Sequence, residues 1–314
     1  MNKFYLSAGL TLAFMTSSFA QTSPFAGRWD LTMQPQTGSA YPQWLELVEK
    51  NGVIEGRYQP RGGAARPVIS TKADGNHLIL TLSAARGSAV TWDLTASGDK
   101  INGVEKLGDA AGPRVVGVRA PELKRPMPKA WGKPKAIFSG KDITGWEPMS
   151  TAPNKWVARN GELVNDNPEV EGQGNSRAAN LKTIAKFQDF KLHIEVNCPE
   201  HGNSGIYLRG RYELQVGTEG GTMPSHEMGA VYGHFAPASP GKKLGEWTTF
   251  DITFVGRYLT VVRDGVKIHD NVEIPGPTGG ALDSNESEPG PFFLQGDHHG
   301  VIRYRNITVQ EPKK

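Results

Sequence analysis

Apolar residues recur at every second position along most of this chain, and turn formers interrupt them every few residues. Leu78, Leu80 and Leu82 alternate with Ile79 and Thr81, Val90, Trp92 and Leu94 keep the same period, and Leu192, Ile194 and Val196 repeat it far downstream. A period of two sends successive side chains to opposite faces of a strand, whereas a helix needs three or four. Few stretches carry a helical period, so the chain reads as all-β, and 38 Gly with 22 Pro supply the turns that many short strands require. At 314 residues it is long enough for two β domains.

From Phe25 to Arg119 short alternating segments are separated by turns at Lys50-Asn51-Gly52, Asp74-Gly75-Asn76 and Ser97-Gly98-Asp99. Spacing of that kind predicts consecutive hairpins, a meander that either closes into a small antiparallel barrel or stays an open sandwich. The opening Gly27-Arg28-Trp29, with Gly56, Gly103 and Gly117 inside strands, resembles small lipocalin-like barrels. Residues 121–134 hold four prolines, show no periodicity and read as an extended, solvated linker. Beyond them strands resume, and some 175 residues of period-two segments with Gly-rich corners predict a two-sheet jelly roll. The expected division is a signal peptide over 1–20, an N-terminal antiparallel β domain over 21–120, the linker over 121–134, and a jelly roll over 135–314.

The leader follows from Lys3, an apolar run from Phe4 to Met15, and Ser18-Phe19-Ala20. That layout predicts cleavage after Ala20 and a periplasmic or secreted protein. The run is too short to span about 30 Å of hydrocarbon and no second one follows, so the mature chain is expected to have no transmembrane segment. A formal charge of +3 with no Lys/Arg cluster excludes an electrostatic footprint for nucleic acid. Cys198 is the only cysteine, so no internal disulfide forms, and it reads as a small buried hydrophobe. Nothing in the sequence sets an oligomeric state.

Two strand-like stretches carry the candidate chemistry. Over 191–197 the even positions are apolar, leaving Lys191, His193, Glu195 and Asn197 on the other face; over 205–216, Ile206, Leu208, Leu214 and Val216 leave Tyr207, Arg209, Arg211, Glu213 and Gln215 together. If the two stretches are neighbours, one face gathers His, Glu, Arg, Tyr and Gln, and Glu195 lies beside Arg209 or Arg211, which would keep it ionised. The bland reading is the wet face of an antiparallel sheet. Against it, these groups stack on sugar rings and fork hydrogen bonds to hydroxyls. A second cluster, Gln295-Gly-Asp-His-His-Gly300, follows an apolar strand; Asp297, His298 and His299 suit proton transfer or metal ligation, or belong to a plain hairpin turn. A third is the loop from Met223 to His234, with His226, Glu227 and His234 as further bases or ligands and Tyr232 as a pocket wall, or simply a surface crossover.

Several runs together are similar to one family: Phe138-Ser-Gly-Lys-Asp-Ile-Thr-Gly-Trp146, Trp156-Val-Ala-Arg-Asn-Gly-Glu-Leu163, Asn203-Ser-Gly-Ile-Tyr-Leu-Arg209, Gly229-Ala-Val-Tyr232, Gly245-Glu-Trp247, Gly276-Pro-Thr-Gly-Gly280, Leu294-Gln-Gly-Asp-His298 and Arg303-Tyr-Arg-Asn-Ile307. In order over nearly all of 135–310, they resemble the 3-keto-disaccharide hydrolase domain family. The resemblance implies a concanavalin A-like jelly roll and an exported hydrolase or lyase acting on glycosides oxidised at C3 of the sugar. It covers none of 21–125.

A C3 ketone acidifies the C2 hydrogen, so a base, a group for the enolate oxygen and an acid for the leaving group suffice. The resemblance therefore suggests Glu195 or His298 as base, Glu213 as acid or metal ligand, and Arg209 and Gln295 on substrate oxygens. Tyr207, Gln215, Tyr232 and His193 would line the carbohydrate site. Asp297, Glu213 and His298 are the candidate ligands of a divalent cation. The rival expectation is a non-catalytic, lectin-like module with Trp146, Trp156 and Tyr207 as stacking platforms; a carrier built on the N-terminal barrel is a third.

Overall fold

The computed structural model of the chain describes residues 23–83, 88–168, 178–218, 223–298 and 300–313. The expected leader over 1–20 and His299 lie outside the described residues. Among those residues no helix is long and apolar enough to cross a membrane.

The N-terminal strands are β1 (Gly27–Gln34), β2 (Tyr41–Lys50), β3 (Val53–Gln59), β4 (Arg66–Asp74), β5 (His77–Leu82), β6 (Val90–Ser97), β7 (Lys100–Leu107) and β8 (Ala110–Arg119). Each pairs with the next, and β1 also pairs with β8, so the meander closes into a barrel and the open sandwich is excluded. Closure bends strands hard against their neighbours. At Gly56 and Gly103 a β-carbon would come within 2.2 Å of the Glu46 carbonyl oxygen and 2.0 Å of that of Asp93, so only glycine fits there. The interior is packed with Trp29, Leu31, Leu45, Leu80, Trp92 and Ile101 among others. Arg119 caps one end, its guanidinium 4.0 Å from the Trp29 ring centroid and bonded to the carbonyls of Ala26 and Pro24.

The following strands are β9 (Lys135–Ala136), β10 (Trp146–Pro148), β11 (Trp156–Arg159), β12 (Glu162–Asn167), β13 (Leu181–Thr183), β14 (Phe190–Asn197), β15 (Asn203–Leu208) and β16 (Tyr212–Gly217). After a long loop come β17 (Trp247–Val255), β18 (Tyr258–Arg263), β19 (Val266–Glu273), β20 (Phe293–Leu294) and β21 (Gly300–Gln310). They form a sandwich of a five-stranded sheet, β10-β13-β20-β15-β16, and an eight-stranded sheet, β11-β12-β21-β14-β17-β18-β19 with β9 on β21. Leu192, Ile194 and Val196 of one sheet meet Ile206, Leu208, Leu214 and Val216 of the other in a single core. Cys198 is buried there at the end of β14, and burial pushes its thiol up to about 12, so it behaves as the apolar filler expected.

The segment from 121 to 134 is irregular but not free in solvent as its composition suggested. Leu123 is buried, its carbonyl accepts from the Arg257 amide, the Pro121 carbonyl accepts from Arg257 Nη2, and Arg125 pairs with Asp189. Backbone carbonyls without partners on their own segment have been satisfied by the sandwich.

The outer face of β1 rests on the sandwich. Arg28 pairs with Glu273 at 2.6 Å and Thr32 Oγ1 meets Ser284 Oγ at 2.9 Å. Between them lies a buried group: Asp30, Glu286 and Arg257, with Arg257 Nη1 donating to Glu286 at 2.7 Å and the Tyr212 hydroxyl donating to the same carboxylate. One guanidinium cannot neutralise two carboxylates out of water. Burial, and then the Glu286 charge, accordingly push Asp30 from 3.8 up to about 10, and it stays protonated at neutral pH. A raised folded-state value means that this group's stabilisation is complete at pH below about 4 and is lost as pH climbs towards 10. Asp30→Asn, neutral at every pH, should therefore gain stability relative to the natural chain as pH rises from 4 to 9 in denaturant melts. Parallel stability curves for the two proteins would refute the assignment.

Candidate functional site

β15 and β16 form a hairpin joined by Arg209, Gly210 and Arg211, with left-handed φ of +51° at Arg209 and +70° at Gly210. Three connecting residues keep the odd positions of both strands on one face, so Tyr207 stands directly opposite Glu213 and Gly205 opposite Gln215. Their side chains leave the core and emerge on the outer face of the five-stranded sheet. Tyr207 Oη donates to Glu213 Oε2 at 2.6 Å. A β-carbon at position 205 would lie 2.3 Å from Glu213 Oε1, so the glycine lets the carboxylate lie across the hairpin. Gln215 Nε2 donates to Asn203 Oδ1 at 2.8 Å.

This face is not wet. Tyr207, Glu213 and Gln215 are 1%, 5% and 1% exposed, which rules out the solvated-sheet reading. Burial first, then the Glu213 charge, push the Tyr207 hydroxyl well above its usual range, so it remains a donor to the carboxylate. Phe293 stacks on Tyr207 with centroids 3.7 Å apart. Gln295 follows on the same side; its amide donates to the Gly205 carbonyl and its Oε1 is buried with no hydrogen-bond partner among the described residues. The next turn is pinned by two asparagines: Asn180 Oδ1 accepts from the Gly296 and Asp297 amides, and Asn167 Nδ2 donates to the His298 carbonyl at 2.7 Å. Asp297 comes close enough that its charge acts on Tyr207, and His298 Nε2 lies 3.9 Å from Asp297 Oδ1. Tyr232 also acts on Tyr207; its amide donates to the Glu213 carbonyl and its ring stacks on His226 at 4.6 Å.

Thus Tyr207, Glu213, Gln215, Tyr232, Gln295, Asp297 and His298 fall in one neighbourhood, and four expected members do not. Glu195 and His193 sit on β14, in the other sheet, facing away from the shared core on the opposite side of the sandwich. There Glu195 accepts from Arg305 Nε at 2.7 Å and from Asn306 Nδ2 at 2.6 Å, and His193 bonds Asp251 at 2.7 Å. Although partial burial works to raise it, those two donors hold the Glu195 carboxyl below its usual value. Arg209, at a turn, swings back to the core end, where Nη2 donates to the Gly256 carbonyl and the guanidinium lies over Phe254. Arg211 also leaves the face, bonded to Asp283 and the Glu288 carbonyl.

Trp146 and Trp156 are core residues, their indoles donating to the carbonyls of Ile137 and Ala179, so they are not stacking platforms. Neither is Tyr207, covered by Phe293. Among the described residues no three His, Cys, Asp or Glu side chains are gathered to hold a metal ion, so Asp297, Glu213 and His298 do not make a ligand set by themselves. His234 packs edge-on against Trp44 of the barrel at 5.8 Å, and burial, with Arg57 nearby, pushes it down to about 4, so it is neutral at ordinary pH. Sequence reasoning missed Phe293, which the alternation with Leu294 and Gln295 would have placed on this face, and the positioning asparagines, which carry no periodic signal.

The sequence model of the 3-keto-alpha-glucoside-1,2-lyase-like domain matches residues 133–310, more than half of the chain, and the chain belongs to that family. Among solved structures it is similar to a candidate glycosyl hydrolase of Parabacteroides distasonis, at 27% identity over 60% of this chain and 94% of that one, with a TM-score of 0.47. Another from the same organism is 20% identical, over 57% of this chain and 100% of its own, with a TM-score of 0.44. A Trypanosoma rangeli sialidase is 12% identical, over 90% of this chain and 60% of its own, with a TM-score of 0.29. No protein with a curated description matches the chain. Family membership supports a glycoside-acting protein in general.

The two sheet faces are separated by the whole core, so His193→Ala and Glu195→Gln should leave sugar binding and turnover within about twofold of the natural chain. Their cost should fall on stability, on the order of 1 kcal/mol for partly exposed ion pairs. Calorimetric titration beside thermal melts would check this; loss of ligand binding in either variant would return β14 to the site.

Proposed function

We propose that the chain is an exported enzyme that cleaves 3-keto-glycosides, as a lyase or by elimination followed by hydration, on the outer face of the five-stranded sheet. The observation that carries this reading is the buried Tyr207–Glu213 hydrogen bond beside the Asp297-His298 turn, within the segment the family matches. Export is supported by the leader pattern over residues 1–20.

Elimination needs a base near a ketone-acidified carbon, and of the carboxylates in this neighbourhood we assign Glu213, the one oriented by the Tyr207 hydroxyl. It takes the proton from C2 of the sugar, and the electron pair moves into a C2–C3 enolate with its charge on the C3 oxygen. Collapse of the enolate breaks the bond between C1 and its oxygen substituent, and His298 gives that oxygen a proton. Water then adds at C1 of the enone, its released proton going to His298, and C2 recovers a proton from Glu213, so the net change is hydrolysis. Without the water step the product is the enone.

Tyr207 holds Glu213 in one rotamer through a hydrogen bond to a charged acceptor, an interaction of about 1.5–3 kcal/mol. The unpartnered Gln295 Oε1 is an acceptor suited to a sugar hydroxyl, because a buried acceptor gains most from a ligand donor.

The reading is tested by release of the aglycone from a 3-keto-glucoside. Glu213→Gln should lower kcat by about 10²–10⁴-fold, the usual contribution of a positioned base, with circular dichroism unchanged. A natural chain that binds the sugar without turning it over would support the lectin-like alternative, and full activity in Glu213→Gln would move the base elsewhere.

A further inference from the structure

The barrel lies outside the family-matched segment, yet it reaches the site through the loop at residues 276–280. Three of the five residues there are glycines, and each lies against something different. At Gly276 a β-carbon would come within 2.3 Å of the Trp44 indole, which projects from the outer face of β2. At Gly279 it would come within 2.4 Å of the Gly63 carbonyl oxygen, and the Gly279 carbonyl accepts from the Gly62 amide at 2.8 Å. At Gly280 it would lie 2.1 Å from the Tyr207 hydroxyl. Between them Thr278 Oγ1 accepts from the Glu213 amide at 2.9 Å and donates to the Arg211 carbonyl.

The same stretch of barrel touches the second loop of the site. Ala64 lies against Gly233, where a β-carbon would come within 2.6 Å of its Cα, and Trp44 meets His234, one and two residues after Tyr232, whose amide donates to the Glu213 carbonyl. Gln59 Nε2, donating to the Gly63 carbonyl at 2.6 Å, fixes this stretch, residues 59–65, as a wedge.

We propose that Trp44 and the 59–65 loop of the barrel are positioning elements of the site: they clamp the 276–280 loop onto Tyr207 and the backbone of Glu213, so that the sandwich alone does not hold the phenol–carboxylate pair in place. A loop with glycine at three of five positions has a large entropy to lose and little contact energy of its own. Released from Trp44 and Gly62 it would lift from Tyr207, admit water to the hydroxyl, and free the Glu213 carboxylate to rotate. This deepens the functional reading above and, for its kinetic arm only, rests on it.

The test uses the full chain with Trp44→Ala, Trp44→Phe and Gly279→Ala, the last pressing on the wedge from the sandwich side. In hydrogen exchange followed by mass spectrometry, Trp44→Ala and Gly279→Ala should raise exchange across 203–217 and 276–283 by about tenfold, with 27–34 and 190–197 unchanged. Trp44→Phe, which keeps a ring on Gly276, should restore protection. On a 3-keto-glucoside the first two variants should lower kcat by about tenfold or more with KM nearly unchanged, since misplacing a reacting group costs the chemical step rather than binding. Unchanged exchange over 203–217 in both variants overturns the proposal, whether or not the substrate class is right. Absence of turnover in the natural chain, with the exchange pattern as described, overturns only the substrate reading. If Trp44→Ala loosens 27–34 as well, Gly279→Ala, which changes no residue of the barrel, decides.

Discussion

A phenol and a carboxylate share a hydrogen bond of 2.6 Å on the outer face of a sheet, both almost out of water. A carboxylate in that position is tolerable only when it is hydrogen-bonded and its surroundings are fixed. Much of the remaining architecture answers to that constraint. Gly205 makes room for the carboxylate, Phe293 covers the phenol ring, Thr278 Oγ1 accepts from the Glu213 amide, and the Tyr232 amide of the second loop donates to the Glu213 carbonyl. Long loops over a sheet face, costly in entropy, are thereby given partners that keep them ordered.

The barrel belongs to the same account. It is attached by a buried acid–acid–guanidinium group, by the Trp44 indole and by backbone contacts at glycines. Such contacts are geometrically demanding, because a buried charge that loses its partner costs several kcal/mol. An interface of this kind sets one orientation of the two units rather than a range. That is the property needed if a loop of one unit is to seat a loop of the other at ångström precision.

Much of the fold could be read in the sequence because period-two patterning is local. The strand Phe190–Asn197 and the core-facing sets of 192, 194, 196 and 206, 208, 214, 216 follow directly from it. What periodicity cannot convey is which sheet a strand joins. Only Cys198 to Gly202 separate β14 from β15, yet the chain crosses from one layer of the sandwich to the other there, and equal parity then means opposite outer faces. Glu195 and His193 were misplaced for that reason alone. Arg209 was misplaced because a left-handed turn residue obeys no strand alternation. Glu213, Tyr207 and Gln215 kept their predicted company because an odd-length connection preserves parity. The glycines at 276, 279 and 280 were visible as a motif, but their purpose was not, since the residues they accommodate lie more than two hundred positions upstream or on another strand.

The most direct test is a crystal structure of Glu213→Gln, which should bind without turning over, soaked with a 3-keto-glucoside. The sugar is predicted to lie on the outer face of the five-stranded sheet, with C2 towards position 213, its hydroxyls near Gln295, and its C1 substituent towards His298. A sugar bound instead over His193 and Glu195, on the far side of the sandwich, would contradict the account.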